Sequence, residues 1–275
     1  MREGRKMLGY TLTSAVAILA AHANSAAAAV LNDGTTTANL SVYSNIGPAG
    51  GNSANAFVNP GGNDLRIEVS NTSTANALKP VFAASTAPGD TTFTTSADIT
   101  MSNPADASDR PGVAIIDTST KKGVGLYFRG SQGYRVTLLD LNQASFESLL
   151  LNTTAFTGGT NTSGKLNASL AISLGGANSN SSGIGVTVTD SASVVSTTTL
   201  SAQDLSAYLP ASDLSSMVVG YWGFYPSTAA NNNPTSVGTF DNLTLTPVPE
   251  PTAAIGLVVC GLGALSRRAS RRGLK

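Results

Sequence analysis

Between residues 30 and 247 the chain reads as short runs of alternating apolar and polar residues, separated by Gly, Asn, Ser and Asp. Residues 65–69 and 93–101 alternate with period two, which turns one face of a strand toward a core. Residues 113–116 form a short apolar run. Residues 124–129 and 134–139 flank Gly130-Ser131-Gln132-Gly133, a loop suited to a hairpin. Residues 165–174 alternate throughout and place Leu166, Ala168, Leu170, Ile172 and Leu174 on one face. A second hairpin is predicted from 184–189 and 194–200, around Asp190-Ser191-Ala192-Ser193. Residues 217–225 and 237–246 close the series. About ten strands with turn-rich gaps, no internal repeat and no long helical period predict an all-β fold, an antiparallel β-sandwich. Two short helices are expected beside it. One is 143–151, with Phe146, Leu149 and Leu150 on a common face. The other is 201–208, where Ser201 caps and Asp204 sits three residues on. Residues 38–62 and 175–183 are rich in Gly, Asn and Ser and are expected as loops.

The two ends follow other patterns. Arg2, Arg5 and Lys6 precede an apolar-to-small stretch, 7–21, and two small-x-small sites, Ala21-His22-Ala23 and Ala27-Ala28-Ala29. This is the layout of a secretory signal, so residues 1–29 are expected to be a signal peptide. At the other end Val248-Pro249-Glu250-Pro251 precedes an apolar stretch, 252–266, and a basic cluster of Arg267, Arg268, Arg271, Arg272 and Lys275. A 15-residue helix spans roughly 22 Å, short of a hydrocarbon core of ~30 Å. Such a segment holds a chain in the inner membrane but makes a poor permanent span. Its basic tail is expected to stay cytoplasmic, with the middle of the chain exported. The organisation is thus 1–29 signal, 30–246 ectodomain and 247–275 sorting tail.

Charge sharpens this picture. The whole chain is neutral, but residues 30–247 hold 14 acids and 8 bases, a net of −6. An acidic middle argues against a nucleic-acid partner, which needs a basic patch on the folded domain. The only His is His22 in the leader and the only Cys is Cys260 in the tail. A Ser-His-Asp triad, a Cys-His pair and an intramolecular disulfide are therefore excluded from the middle.

The tripartite tail resembles the PEP-CTERM sorting signal of exopolysaccharide-producing Gram-negative bacteria. Its motif is Val248-Pro249-Glu250-Pro251, its span 253–265 and its cluster Arg267-Arg268. The resemblance implies an exosortase-type membrane protease with a Cys-His-Arg active site as partner, cutting near Glu250. It also implies a cell-surface or extracellular protein tied to exopolysaccharide and biofilm. The prolines hold 248–251 extended, a form a membrane protease can grip. An ordinary C-terminal anchor with a Pro-rich linker is the plainer reading.

The middle carries a second resemblance, to concanavalin A-like and laminin G-like jelly rolls. It rests on Phe93-Thr94-Thr95-Ser96-Ala97-Asp98, on 124–129 followed by 134–138, and on the terminal Phe240-Asp241-Asn242-Leu243. Those families include glycoside hydrolases with Glu-x-Asp-x-Glu on one strand, which this chain lacks. Its middle has only two Glu, Glu68 and Glu147, and no acidic pair at i, i+2. A carboxylate pair could still assemble from distant strands, for example Asp98 with Glu68. No catalytic residue and no resident cofactor are expected. Asn103, Asp106 and Asp109 supply hard oxygens of the kind calcium takes, although Asp and Asn also populate turns for backbone reasons. The candidate sugar contacts are Tyr127 with Arg129, and Tyr221 with Tyr225. In each strand these face away from a core side given to Leu126 with Phe128, and to Trp222 with Phe224. The expected function is a non-catalytic exported surface or matrix protein. The alternatives are a lectin-like sugar-binding module and, disfavoured, a divergent glycosidase.

Overall fold

In Thr92–Met101 every second side chain is buried, from Phe93 to Met101, and those between are half-buried. A strand patterned this way needs a cover on one face only, and a second sheet supplies it. The computed structural model describes residues 28–35, 40–43, 55–58, 65–71, 81–84, 90–105, 110–143, 147–224 and 231–247. For 41–43, 55–58, 68–71, 81–84, 224 and 231–236 the description is of the backbone. The signal segment, Asp106 and Asp109, Tyr225, and the whole sorting tail with its expected helix lie outside the described residues. Among the described residues no helix is long and apolar enough to cross a membrane.

The described strands are β1 (Ala29–Asn32), β2 (Ser41–Tyr43), β3 (Asn55–Val58), β4 (Leu65–Asn71), β5 (Val81–Ala84), β6 (Thr92–Met101), β7 (Arg110–Asp117) and β8 (Lys122–Phe128). They continue with β9 (Tyr134–Asp140), β10 (Glu147–Thr154), β11 (Leu166–Ser173), β12 (Ser182–Thr189), β13 (Val195–Gln203), β14 (Met217–Phe224) and β15 (Asn231–Pro247). An eight-stranded sheet runs β13-β12-β11-β6-β15-β4-β3, with β1 also on β15, and a seven-stranded sheet runs β10-β9-β8-β7-β14-β5-β2. Neighbouring strands are antiparallel throughout, and the chain passes repeatedly from one sheet to the other, as in a jelly roll. Both sheets belong to one compact unit, Ala28–Pro247. Its main core is shared: Phe93, Leu170 and Phe240 from the larger sheet meet Leu126, Val136 and Val219 from the smaller.

Both predicted hairpins form, β8 with β9 and β12 with β13. Neither predicted helix does. Residues 147–151 lie in β10, which pairs with the edge of β9, and Leu149 and Leu150 are 54% and 44% exposed. Those leucines had suggested a helical face, but the open edge of β9 offers backbone partners to every second residue. Residues 201–203 continue β13. Asp204 then folds onto its own backbone, accepting from Ser206 N–H at 3.0 Å and Ser206 Oγ at 2.6 Å instead of extending a capping box. The helical elements described are two 3-10 turns, Ala177–Ser179 and Ala211–Ser216. The stretch 38–62, expected as loop, contributes β2 and β3, which add to sheet edges at β5 and β4.

Two local devices hold the sandwich together. In β15 the register against β6 slips between Asp241 and Thr244, and Asn242 there has φ +51°. The bulge lets Phe240 and Leu243 both enter the core at a three-residue spacing that a regular strand forbids. Asp98 and Asp241 face each other across this pair, a like-charge contact. Lys165 Nζ at 2.8 Å from Asp241 offsets it, as do Asn167 and Asn242, each donating to Asp98 at 2.9 Å.

The second device is Asp117 at the end of β7. Its Oδ1 accepts from Ser119 N–H at 2.8 Å and from the hydroxyls of Ser119 at 2.6 Å and Ser216 at 2.8 Å, and its Oδ2 from Thr120 Oγ1 at 3.0 Å. Burial alone would raise its pKa, but these donors outweigh burial and hold the carboxyl below its ordinary 3.8. A depressed folded-state pKa contributes stability that is present above the unfolded value and lost as pH falls through the folded one. Asp117→Asn should cost about 1.5–3 kcal/mol at neutral pH. It should also flatten the acid limb of a stability-pH curve below about pH 4. Urea unfolding at several pH values reads both effects.

Candidate ligand face on the seven-stranded sheet

The side of the seven-stranded sheet that faces away from the core carries a second, smaller apolar layer. It contains Ala114, Ile116, Tyr127, Leu139, Leu141 and Trp222. Strand register explains how it forms. Trp222 on β14 pairs with Gly112 on β7, Gly112 with Tyr127 on β8, and Tyr127 with Arg135 on β9. These positions make one row across four strands.

Two glycines make room for the indole. A Cβ on Gly112 would lie 2.6 Å from Trp222 Nε1 and 1.9 Å from the Leu126 carbonyl oxygen. A Cβ on Gly125 would lie 2.8 Å from Trp222 Cζ2. The indole therefore lies on a bed that no larger residue permits. Its Nε1 donates to Leu126 O at 2.9 Å. The Tyr127 ring meets it edge-on, with centroids 5.6 Å apart and planes at 79°.

Beside this floor stands a charged rim. The Tyr127 hydroxyl donates to Glu147 Oε1 through a short hydrogen bond, and Arg135 Nη1 donates to the same hydroxyl at 3.3 Å. The Arg110 guanidinium sits 5.6 Å from the Tyr127 ring centroid, a cation-π contact. Arg129 follows Tyr127 by two residues on the same strand face and is braced through its backbone N–H to Gly133 O at 2.9 Å. Arg110, Arg129, Arg135 and Glu147 are all half-buried. Burial pushes the Tyr127 hydroxyl up to about 12, and its hydrogen bond to Glu147 adds to this. Burial likewise lowers Arg110, against the favourable charge of Tyr127 and Glu147. Tyr127 is thus a proton donor held to a carboxylate and is far from acting as a base at neutral pH.

The sequence-predicted contacts separate here. Tyr127 and Arg129 do face away from the core, with Leu126 and Phe128 inside it. Tyr221 faces the opposite way from expectation. It lies 0% exposed in the main core, 5.1 Å from the Phe240 ring centroid. Trp222, expected in the main core, occupies the outer layer instead. The reversal has a cause on each side: the indole needs the space above Gly112 and Gly125, and the Tyr221 hydroxyl accepts the Leu243 N–H at 3.0 Å beside the β15 bulge. Burial then drives Tyr221 well above the ordinary tyrosine range. Of the carboxylate pair weighed for hydrolysis, Asp98 is occupied by Asn167 and Asn242. Glu68 lies in β4 as backbone only. Among the described residues no group of three His, Cys, Asp or Glu could hold a metal ion.

Arg110, Arg135 and Glu147 are the members that sequence reading missed. Arg135 was accessible, because a hairpin closed by Gly130–Gly133 sets Phe128 against Tyr134 and so Tyr127 against Arg135. Glu147 was hidden by reading its segment as helix.

No protein-family model matches the sequence, and no curated protein does. Several solved structures are similar in fold. A PL-14 alginate lyase from Aplysia kurodai aligns with a TM-score of 0.49 at 10% identity, over 82% of this chain and 100% of that one. A seed lectin of Lotus tetragonolobus aligns at 0.44 and 14% identity, over 78% and 95% of the two chains. A legume lectin-like domain from Entamoeba histolytica aligns at 0.42 and 6% identity, over 77% and 91%.

Proposed function

We propose that this chain is an exported, non-catalytic surface or matrix protein whose β-sandwich binds an extracellular polysaccharide. One observation carries the binding reading: a half-buried charged cluster of Arg110, Arg129, Arg135 and Glu147 packed around the buried Tyr127–Trp222 pair, on the side of the sheet turned away from the main core. Ligand sites combine an apolar base with a few convergent polar groups in this way. The non-catalytic reading is supported by chemistry. Among the described residues Glu147 is the single carboxylate of the cluster, whereas glycoside hydrolysis needs two, and Tyr127 stays protonated. The jelly-roll topology agrees with the resemblance to concanavalin A-like domains. Export rests on the leader and on the Val248-Pro249-Glu250-Pro251 tail, which an exosortase-type protease would remove at the inner membrane. The intact mass of protein recovered from the cell surface checks the sorting step. The expected product ends near Glu250, and a surface form retaining Arg267 to Lys275 contradicts it.

The binding step is tested with Ala28–Pro247, which holds both sheets and the shared core. Titration against the exopolysaccharide of its own cells and a panel of glycans, with and without calcium, is expected to give saturable binding. No binding under either condition overturns the reading and leaves a structural surface protein.

A further inference from the structure

We infer that the face on the seven-stranded sheet is built for an anionic polysaccharide, whose carboxylate or sulfate groups are taken by Arg110, Arg129 and Arg135. This rests on the reading above and names its ligand class. Charge distribution is the first argument. Residues 30–247 hold 8 bases and net −6, yet three of those bases gather around Tyr127, with Glu147 as the one acid there among the described residues. Three cations held close together repel one another, and an anionic ligand offsets that repulsion.

Unpaired donors are the second argument. Nε of Arg129 and Nε of Arg135 are buried without a hydrogen-bond partner. The ion pairs described elsewhere are Lys122 with Asp140 and Lys165 with Asp241, and neither includes these arginines. Nearly all buried polar groups in native proteins are paired, so these two nitrogens leave Arg129 and Arg135 with charge and hydrogen-bonding capacity that the chain itself does not use there. Glu147 takes the Tyr127 hydroxyl on Oε1 and accepts from neither Nε.

Geometry is the third. Arg135 is held by its contact to Tyr127, Arg110 by the ring beneath it, and Arg129 by the short loop that follows, so Arg110 and Arg135 stand on β7 and β9 while Arg129 directly follows β8 between them. A guanidinium fork matches a carboxylate or sulfate through two parallel hydrogen bonds, and several forks in a row suit a polymer with repeating anions. A neutral glycan offers no charge to the three guanidinium groups.

The test is calorimetric titration of Ala28–Pro247 with polygalacturonate, with dextran sulfate and with neutral dextran, at low salt and with added 0.5 M NaCl. Binding to one or both acidic polymers and none to dextran is expected, with affinity falling about tenfold or more in the added salt. The two acidic arms distinguish carboxylate from sulfate. The double variant Arg129→Gln and Arg135→Gln should weaken acidic-polymer binding about tenfold or more, at the 1.4 kcal/mol that a factor of ten represents. Lys165→Gln, on the other sheet, should leave binding unchanged. If the double variant does not fold, Arg129→Lys, which keeps the charge and loses the fork, should still weaken binding. Salt-insensitive binding, or equal binding to dextran, overturns this inference while leaving polysaccharide binding in place. No binding to any glycan overturns both.

Discussion

Trp222→Ala is expected to cost about 3–5 kcal/mol of folding free energy, the range for emptying a buried aromatic site. The indole is 1% exposed and is the largest fully buried side chain. It lies over Gly112 and Gly125, which have no side chains to move into the vacated volume. The Leu126 carbonyl loses its indole donor, and Tyr127 loses its edge contact. For a domain of this size the thermal midpoint should fall by roughly 6–20 °C, at about 2–4 °C per kcal/mol. Far-UV circular dichroism in urea measures the loss without relying on tryptophan emission, since Trp222 is the only Trp in the chain. A cost below about 1 kcal/mol is the value of an ordinary surface site and would place Trp222 outside a packed layer.

Tyr221 carries the second large effect, and two substitutions divide it into parts. Tyr221→Ala should cost about 3–5 kcal/mol by emptying its place against Phe240 in the main core. Tyr221→Phe keeps the ring and removes only the hydroxyl. The Leu243 N–H at the β15 bulge then loses its acceptor, and Asn32 loses a partner 3.3 Å away, for a cost of about 1–3 kcal/mol. Hydrogen exchange should show the Leu243 amide losing protection in the Phe variant. Equal stability of wild type and Tyr221→Phe would mean that the bulge amide is satisfied another way.

These two neighbours show what the sequence reveals and what it hides. Period-two alternation was enough to find β4, β6, β11, the two hairpins and the last strand, because each presents a clean apolar face to the other sheet. It could not say which face of residues 217–225 was inside. Both Tyr221 and Trp222 are large and aromatic, and the strand is buried on both sides, so alternation carries no sign there. The answer lay in Gly112 and Gly125, two strands whose missing side chains make room for the indole on one face only. The helix expected at 143–151 failed for a related reason. Its leucines suit either structure, and the open edge of the preceding strand, β9, decided for a strand. That strand brings Glu147 to Tyr127, so one misread segment concealed the carboxylate partner of its hydroxyl. The bulge at Asn242 was equally silent in sequence, although Phe240-Asp241-Asn242-Leu243 marked the place.

Hydrogen–deuterium exchange of Ala28–Pro247, with and without a bound acidic polysaccharide, tests the central claim most directly. A ligand on the outer face of the seven-stranded sheet should slow exchange in β7, β8 and β9, around Arg110, Tyr127 and Arg135, and leave β11 to β13 unchanged. Protection confined to β11 to β13, with none in β7 to β9, would contradict it and move the binding site to the other sheet.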